Sequence, residues 1–208
     1  NEVAPGQFEL APIFEECNLA VDHNMLLMAV MKKVAHRHGF RVLLHEKPFA
    51  GINGSGKHNN WSLATDEGKN LFSPGKDPKT NTQFLIFVAA VIEAVDRYYP
   101  MLRYATATAT NDHRLGGHEA PPTIISIFLG DELTTIFNNI AYKKDAPVSE
   151  SSKVNLSVDV LPTFNMDVGD RNRTSPFAFT GNKFEFRMPG SSSTPATTAA
   201  VINAMVGK

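Results

Sequence analysis

Lys183-Phe184-Glu185-Phe186-Arg187-Met188 alternates strictly between charged and apolar side chains. A period of two belongs to a β-strand, whose successive side chains point to opposite faces. Phe184, Phe186 and Met188 therefore share a face suited to a core, while Lys183, Glu185 and Arg187 form a plus, minus, plus column on the other. Alone, such a column fits a solvated face with cross-strand ion pairs as well as the wall of a site. A second alternating stretch, 57–63, puts His58, Asn60 and Ser62 on one face and Lys57, Asn59, Trp61 and Leu63 on the other. Residues 2–10, 40–45 and 123–129 read as further strands.

Between the strands lie helical patterns. The first runs over about 19–38, with Asn18 as N-cap, Gly39 just past the end, and His36, Arg37 and His38 adding positive charge to the last turn. Met25, Met28 and Met31 form a stripe on it that reads as core filling. The run 84–92 holds nine consecutive apolar residues, too few to cross a bilayer, so it reads as a buried helix that Pro100 breaks or kinks. Shorter helices are expected at 131–142 and 194–206, with long loops at 64–81, 103–122 and 143–154. The expected architecture is α+β: a curved, mainly antiparallel sheet with helices packed on one face, leaving the other face polar.

Twenty Lys and Arg against 21 Asp and Glu, a net charge of −1 in 208 residues, provide no basic footprint for nucleic acid or an anionic membrane. The single cysteine, Cys17, excludes an internal disulfide, which points to a reducing, cytoplasmic compartment. The chain begins at Asn1 and is read as part of a longer protein.

The chemistry-bearing residues cluster around these strands. The loop Asn53-Gly54-Ser55-Gly56 allows a backbone to approach an anion closely. Its wider frame, Gly51 to Lys57, follows the P-loop pattern until His58 replaces the required Ser or Thr. A strand pattern then follows where a P-loop needs a helix, so that reading fails. Gln7 and Glu9 share a strand face, and a bulge at Pro5-Gly6 would bring Glu2 to the same side. Glu2, Glu9, His58 and Glu185 would then offer hard oxygen donors plus one imidazole, a set suited to Mg²⁺ or Mn²⁺. The loop 111–122 contributes Arg114 and Glu119, and Arg171 and Arg173 precede the Lys-Glu-Arg strand, as phosphate binding requires.

Four of these segments, in order, resemble the motifs of the glutamine synthetase catalytic domain: 1–9, 47–62, Arg114 to Pro121, and Asn172-Arg173 with Lys183-Phe-Glu-Phe-Arg187. Leu-Gly-Gly-His-Glu-Ala-Pro-Pro at 115–122 and 172–187 resemble the long type III branch in particular. The resemblance implies the glutamine synthetase/guanido kinase-like fold and makes 1–208 a partial catalytic domain, without the N-terminal domain and an upstream metal-binding strand. By it, Glu2 and Glu9 would bind one metal and His58 and Glu185 the metal bridging the ATP phosphates. Asn53, Gly54, Arg114 and Arg187 would contact glutamate, and Asn60, Ser62, Arg173 and Lys183 would contact ATP. Glu119 would take a proton from ammonium, with Arg173 also serving catalysis. Two positions depart from the family pattern: Ala178 stands where shorter members carry an arginine, and Asn60 where many carry histidine.

The implied activity is ATP-dependent ligation of ammonia to the γ-carboxylate of L-glutamate through γ-glutamyl phosphate. Its implied partners are glutamate, ammonium and ATP with Mg²⁺ or Mn²⁺, in homo-oligomeric rings of the full-length parent (a dodecamer of two hexamers). The fragment alone is expected to be inactive. Two alternatives remain: a related carboxylate–amine ligase with another amine acceptor, and a structural pseudoenzyme of the same fold. A pseudoenzyme should have lost metal or phosphate groups, and here they are present.

Overall fold

The computed structural model describes residues 2–148 and 174–208, together with the backbone of a short antiparallel pair, β3 (Lys153–Val154) and β4 (Phe164–Asn165). The Lys-Phe-Glu-Phe-Arg stretch forms the inner strand β6 (Phe184–Phe186). It lies between β1 (Asn59–Trp61) and β5 (Phe177–Phe179), antiparallel to both, and β2 (Ile127–Phe128) joins β5 in parallel at the far edge. The sheet is thus mainly antiparallel, as the alternation implies.

Register explains the two faces. Phe184 pairs with Trp61 and Phe179, and Phe186 with Phe177, so one side of the sheet is almost wholly aromatic. Phe177, Phe184 and Phe186 are fully buried, with ring centroids 5.4–5.5 Å apart for Phe177 against the other two. Phe72, from the loop after β1, wedges between Trp61 and Phe184 at 5.6 and 5.3 Å. Aromatic burial of this kind dominates a core, each ring contributing about 2–3 kcal/mol.

Helices cover this face. The apolar run 84–92 lies inside α2 (Thr82–Thr106), capped by the Asn81 side chain, which accepts from the Phe84 N–H at 3.1 Å. Pro100 sits within α2, which continues past it to Thr106, so the expected break there does not occur. α2 packs against α5 (Pro195–Val206), and α4 (Asp131–Tyr142) adds Leu133 and Ile136 to the same core. The Trp61 indole N–H donates to Asn203 on α5 at 2.7 Å, tying β1 to the helical layer.

The long first helix, α1 (Cys17–Arg37), ends as expected: Gly39 has φ +74°, and the N–H groups of Gly39 and Phe40 bond back to His36 and Ala35. Its N-cap differs. Glu16, not Asn18, accepts from the N–H groups of Asn18 and Leu19, because one carboxylate reaches two orphan donors and also meets the positive end of the helix. Of the methionine stripe only Met28 is buried; Met25 is exposed.

Three further expectations are corrected. Residues 2–10 form no strand. Ala4-Pro5-Gly6-Gln7 closes a turn, Gln7 N–H to Ala4 O at 3.1 Å with Gly6 at φ +67°, since proline followed by glycine matches the two central positions of such a turn. Residues 40–45 lie outside any sheet, with Phe40 and Leu43 exposed. Half of the loop expected at 103–122 is helical: α2 reaches Thr106, and α3 (Ala109–Arg114) follows, with the Thr108 hydroxyl accepting from the Asn111 N–H.

Candidate functional site

On the polar face of the sheet, Glu185 stands opposite Asn60 on β1 and Ala178 on β5. Its Oε1 lies 2.9 Å from His58 Nδ1, and its Oε2 accepts from Arg187 Nε at 3.0 Å and Nη2 at 2.8 Å. Arg187 is nearly fully buried, and its Nη1 also donates to the Ser175 carbonyl at 3.4 Å. Burial alone would push the Glu185 carboxyl up. The His58 hydrogen bond and the Arg187 charge outweigh that and lower it to about 2. Two members of the charged column, Glu185 and Arg187, thus join His58 from the segment before β1 in an ordered cation–anion–imidazole row.

His58 and Glu185 fit one edge of a divalent cation's coordination shell, an imidazole nitrogen 2.9 Å from a carboxylate oxygen. Glu2 and Glu9 do not complete it. Both are exposed on the N-terminal turn, and among the described residues no group of three or more His, Cys, Asp or Glu is placed to hold a metal. The bulge expected at Pro5-Gly6 is a full turn, which redirects the chain instead of shifting one strand position.

The turn instead delivers Gln7. Its amide donates to the Gly54 carbonyl at 3.1 Å and to the Ser55 hydroxyl at 3.0 Å, docking the N-terminal segment on the loop 53–56. Sequence reading paired Gln7 with Glu9 and missed this contact, because only the Pro-Gly turn aims the side chain there.

That loop meets the loop after α3. Asn53 Nδ2 donates to Glu119 Oε2 at 2.7 Å, joining two residues 66 positions apart. Glu119 takes φ +56°, unusual for a side-chain-bearing residue and worth a functional hypothesis. Its loop is closed by Gly116 N–H to Pro121 O at 2.9 Å.

Arg114 lies beneath both loops, only 5 % exposed. Its Nε donates to Asn111 Oδ1 at 3.0 Å, and its Nη2 to the carbonyls of Met188 and Pro189 at 2.9 and 3.3 Å. Burial lowers its guanidinium to about 10, against the opposing charge of Glu46. In this structure Arg114 thus ties α3 to the 188–189 backbone and packs closely against Gly54 and Gly56. Asn60 and Ser62 are exposed, and Lys183 is half-buried. Arg173 lies outside the described residues.

Comparison with known proteins agrees with this architecture. Residues 1–125 match the family model "Glutamine synthetase, catalytic domain". The chain is 55% identical over 208 residues to "Type-3 glutamine synthetase" of Dictyostelium discoideum, covering all of this chain and 28% of that protein. It is 54% identical to "Glutamine synthetase" of Bacteroides fragilis, covering 98% of this chain and again 28% of the relative. It thus spans little more than a quarter of these relatives' length. The solved structure named "Apo GmaS without ligand" superposes with a TM-score of 0.59 over 91% of this chain and 34% of that one, at 19% identity. A second, "GmaS/ADP complex-Conformation 1", gives 0.56 over 91% and 36%, at 20% identity, so the fold is shared. From its motifs, its sheet and the match over more than half its length, the chain belongs to the glutamine synthetase catalytic-domain family.

Proposed function

We propose that these residues form part of the active site of an ATP-dependent ligase that joins ammonia to the γ-carboxylate of L-glutamate. The observation that carries the reading is the ordered row His58–Glu185–Arg187 on the inner strand of a chain of this family. A carboxylate is a poor electrophile, so ATP first converts it to γ-glutamyl phosphate, and ammonia then displaces phosphate. When bound, Mg²⁺ or Mn²⁺ supplies positive charge that offsets the phosphates.

The chain's own residues take the remaining tasks. His58 and Glu185 hold a divalent ion, with Glu2 and Glu9 on the N-terminal segment assigned to a second. Arg187, fixed by Glu185, lends positive charge to the substrate carboxylates. Asn53, Gly54 and Arg114 contact glutamate, Arg114 also packing against the 53–56 loop. Asn60, Ser62, Lys183 and Arg173 are assigned to the nucleotide and its phosphates. Glu119 takes the proton that ammonium must lose before it attacks, and its loop shields the acyl phosphate from water. Homo-oligomeric rings, a cytoplasmic location and inactivity of these 208 residues alone belong to the same reading.

The test is glutamine formation by the full-length protein from glutamate, ammonium and ATP with Mg²⁺ or Mn²⁺. ATP-dependent glutamine is the expected product. No product with ammonium, but product with another amine, would move the protein to a related amine acceptor; none with any amine would leave a structural role.

A further inference from the structure

The Glu46 carboxylate is completely buried, and none of the roles above uses it. Its Oε1 accepts from the Ser192 N–H at 3.0 Å and from the Ser192 hydroxyl. Its Oε2 is buried with no hydrogen-bond partner. A half-satisfied buried carboxylate is costly unless nearby charge compensates it. Burial pushes the Glu46 carboxyl up, and hydrogen bonding with Ser192 and Thr110 outweighs that and lowers it, while Arg114 and Lys57 each feel the Glu46 charge. Lys57 is itself held by the Ser191 and Ser193 carbonyls, the latter at 2.7 Å, on the turn that carries Ser192.

The same residue grips the substrate loop through its backbone: the Glu46 carbonyl accepts from the Ser55 N–H at 2.7 Å. Packing around it leaves no slack. A Cβ on Gly54 would strike the Glu46 carbonyl and come within 2.7 Å of Arg114 Cγ, and one on Gly190 would strike Glu46 Oε1. Glu46 is thus anchored on one side to the 190–192 turn and on the other to the loop that bears Asn53.

We propose that Glu46 is a positioning residue for glutamate binding: its buried carboxylate, bonded to Ser192, and its carbonyl, bonded to the Ser55 N–H, fix the height of loop 53–56 and so the reach of Asn53. This rests on the reading of Asn53 and Gly54 as glutamate contacts. A residue that merely holds the fold together would alter stability without favouring one substrate over another.

The test uses the full-length protein with Glu46→Gln and with Ser192→Ala, a milder change at an exposed residue. Glu46→Gln keeps the shape but removes the charge, and should raise KM for glutamate about tenfold while KM for ATP stays within about twofold. Ser192→Ala should move glutamate KM the same way by about threefold, and carries the test if the first variant does not fold. Hydrogen exchange at the Ser55 amide should quicken in each folded variant. Equal changes in both KM values, or unchanged Ser55 exchange in Ser192→Ala, would overturn the proposal. An inactive wild-type protein would overturn the ligase reading instead, and Ser55 exchange would still decide the role of Glu46.

Discussion

Glu185 shows how one residue's environment sets its chemistry. Desolvation alone would favour the protonated acid, yet an imidazole and a guanidinium on its two oxygens keep it ionised far below the ordinary carboxylate range. Its contribution to folding is therefore present in full above the usual value of 4.5 and is lost only as pH falls through about 2. In chelator, the stability gap between wild type and Glu185→Gln should shrink as pH falls from 4.5 towards about 2. A gap that does not change with pH would contradict the pairing. Glu119 carries a second residue-scale prediction. Ammonium must be deprotonated before attack, whereas hydroxylamine is largely neutral at pH 7. Glu119→Gln should thus lower the ammonium-dependent rate about 100-fold and the hydroxylamine-dependent rate by less than about tenfold. Equal losses would remove the proton-accepting role.

At the scale of elements, legibility followed periodicity. β6 and β1 were readable because charge and aromatic residues alternate at Lys183–Met188 and at 57–63. α4 was readable from its apolar pattern, and its bounds match. Residues 2–10 misled because alternation in Gln7-Phe8-Glu9-Leu10 was weighed above the turn chemistry of Pro5-Gly6. Residues 40–45 misled because an apolar run says nothing about whether a partner strand exists. Glu46 and the Asn53–Glu119 contact were invisible for a different reason: each depends on segments far apart in sequence meeting in space. The inner strand should be the least tolerant element. Phe184 is fully buried and touches rings from Phe72, Phe177 and Phe179, so Phe184→Ala should destabilise by about 3–5 kcal/mol in denaturant unfolding. A loss under about 1 kcal/mol would mean that β6 is not the centre of the core. The loop 53–56 should be nearly as strict. Gly54→Ala has no room between Glu46 and Arg114, and should weaken glutamate binding more than ATP binding when the two KM values are compared.

For the whole molecule, a net charge of −1 conceals local order: Glu185 is paired with Arg187, and the charge of buried Glu46 is felt by Arg114 and Lys57. Two parts of the proposed site, the His58–Glu185–Arg187 row and the Asn53–Glu119 pair, are formed within this chain. The chain covers 28% of the length of the Dictyostelium relative. The most direct measurement of the central claim is ATP-dependent γ-glutamyl hydroxamate formation by the full-length protein and its Glu185→Ala variant, in Mg²⁺ or Mn²⁺. The account predicts activity in the wild type and a loss of at least about 100-fold in the variant. A variant within about twofold of wild type would contradict it.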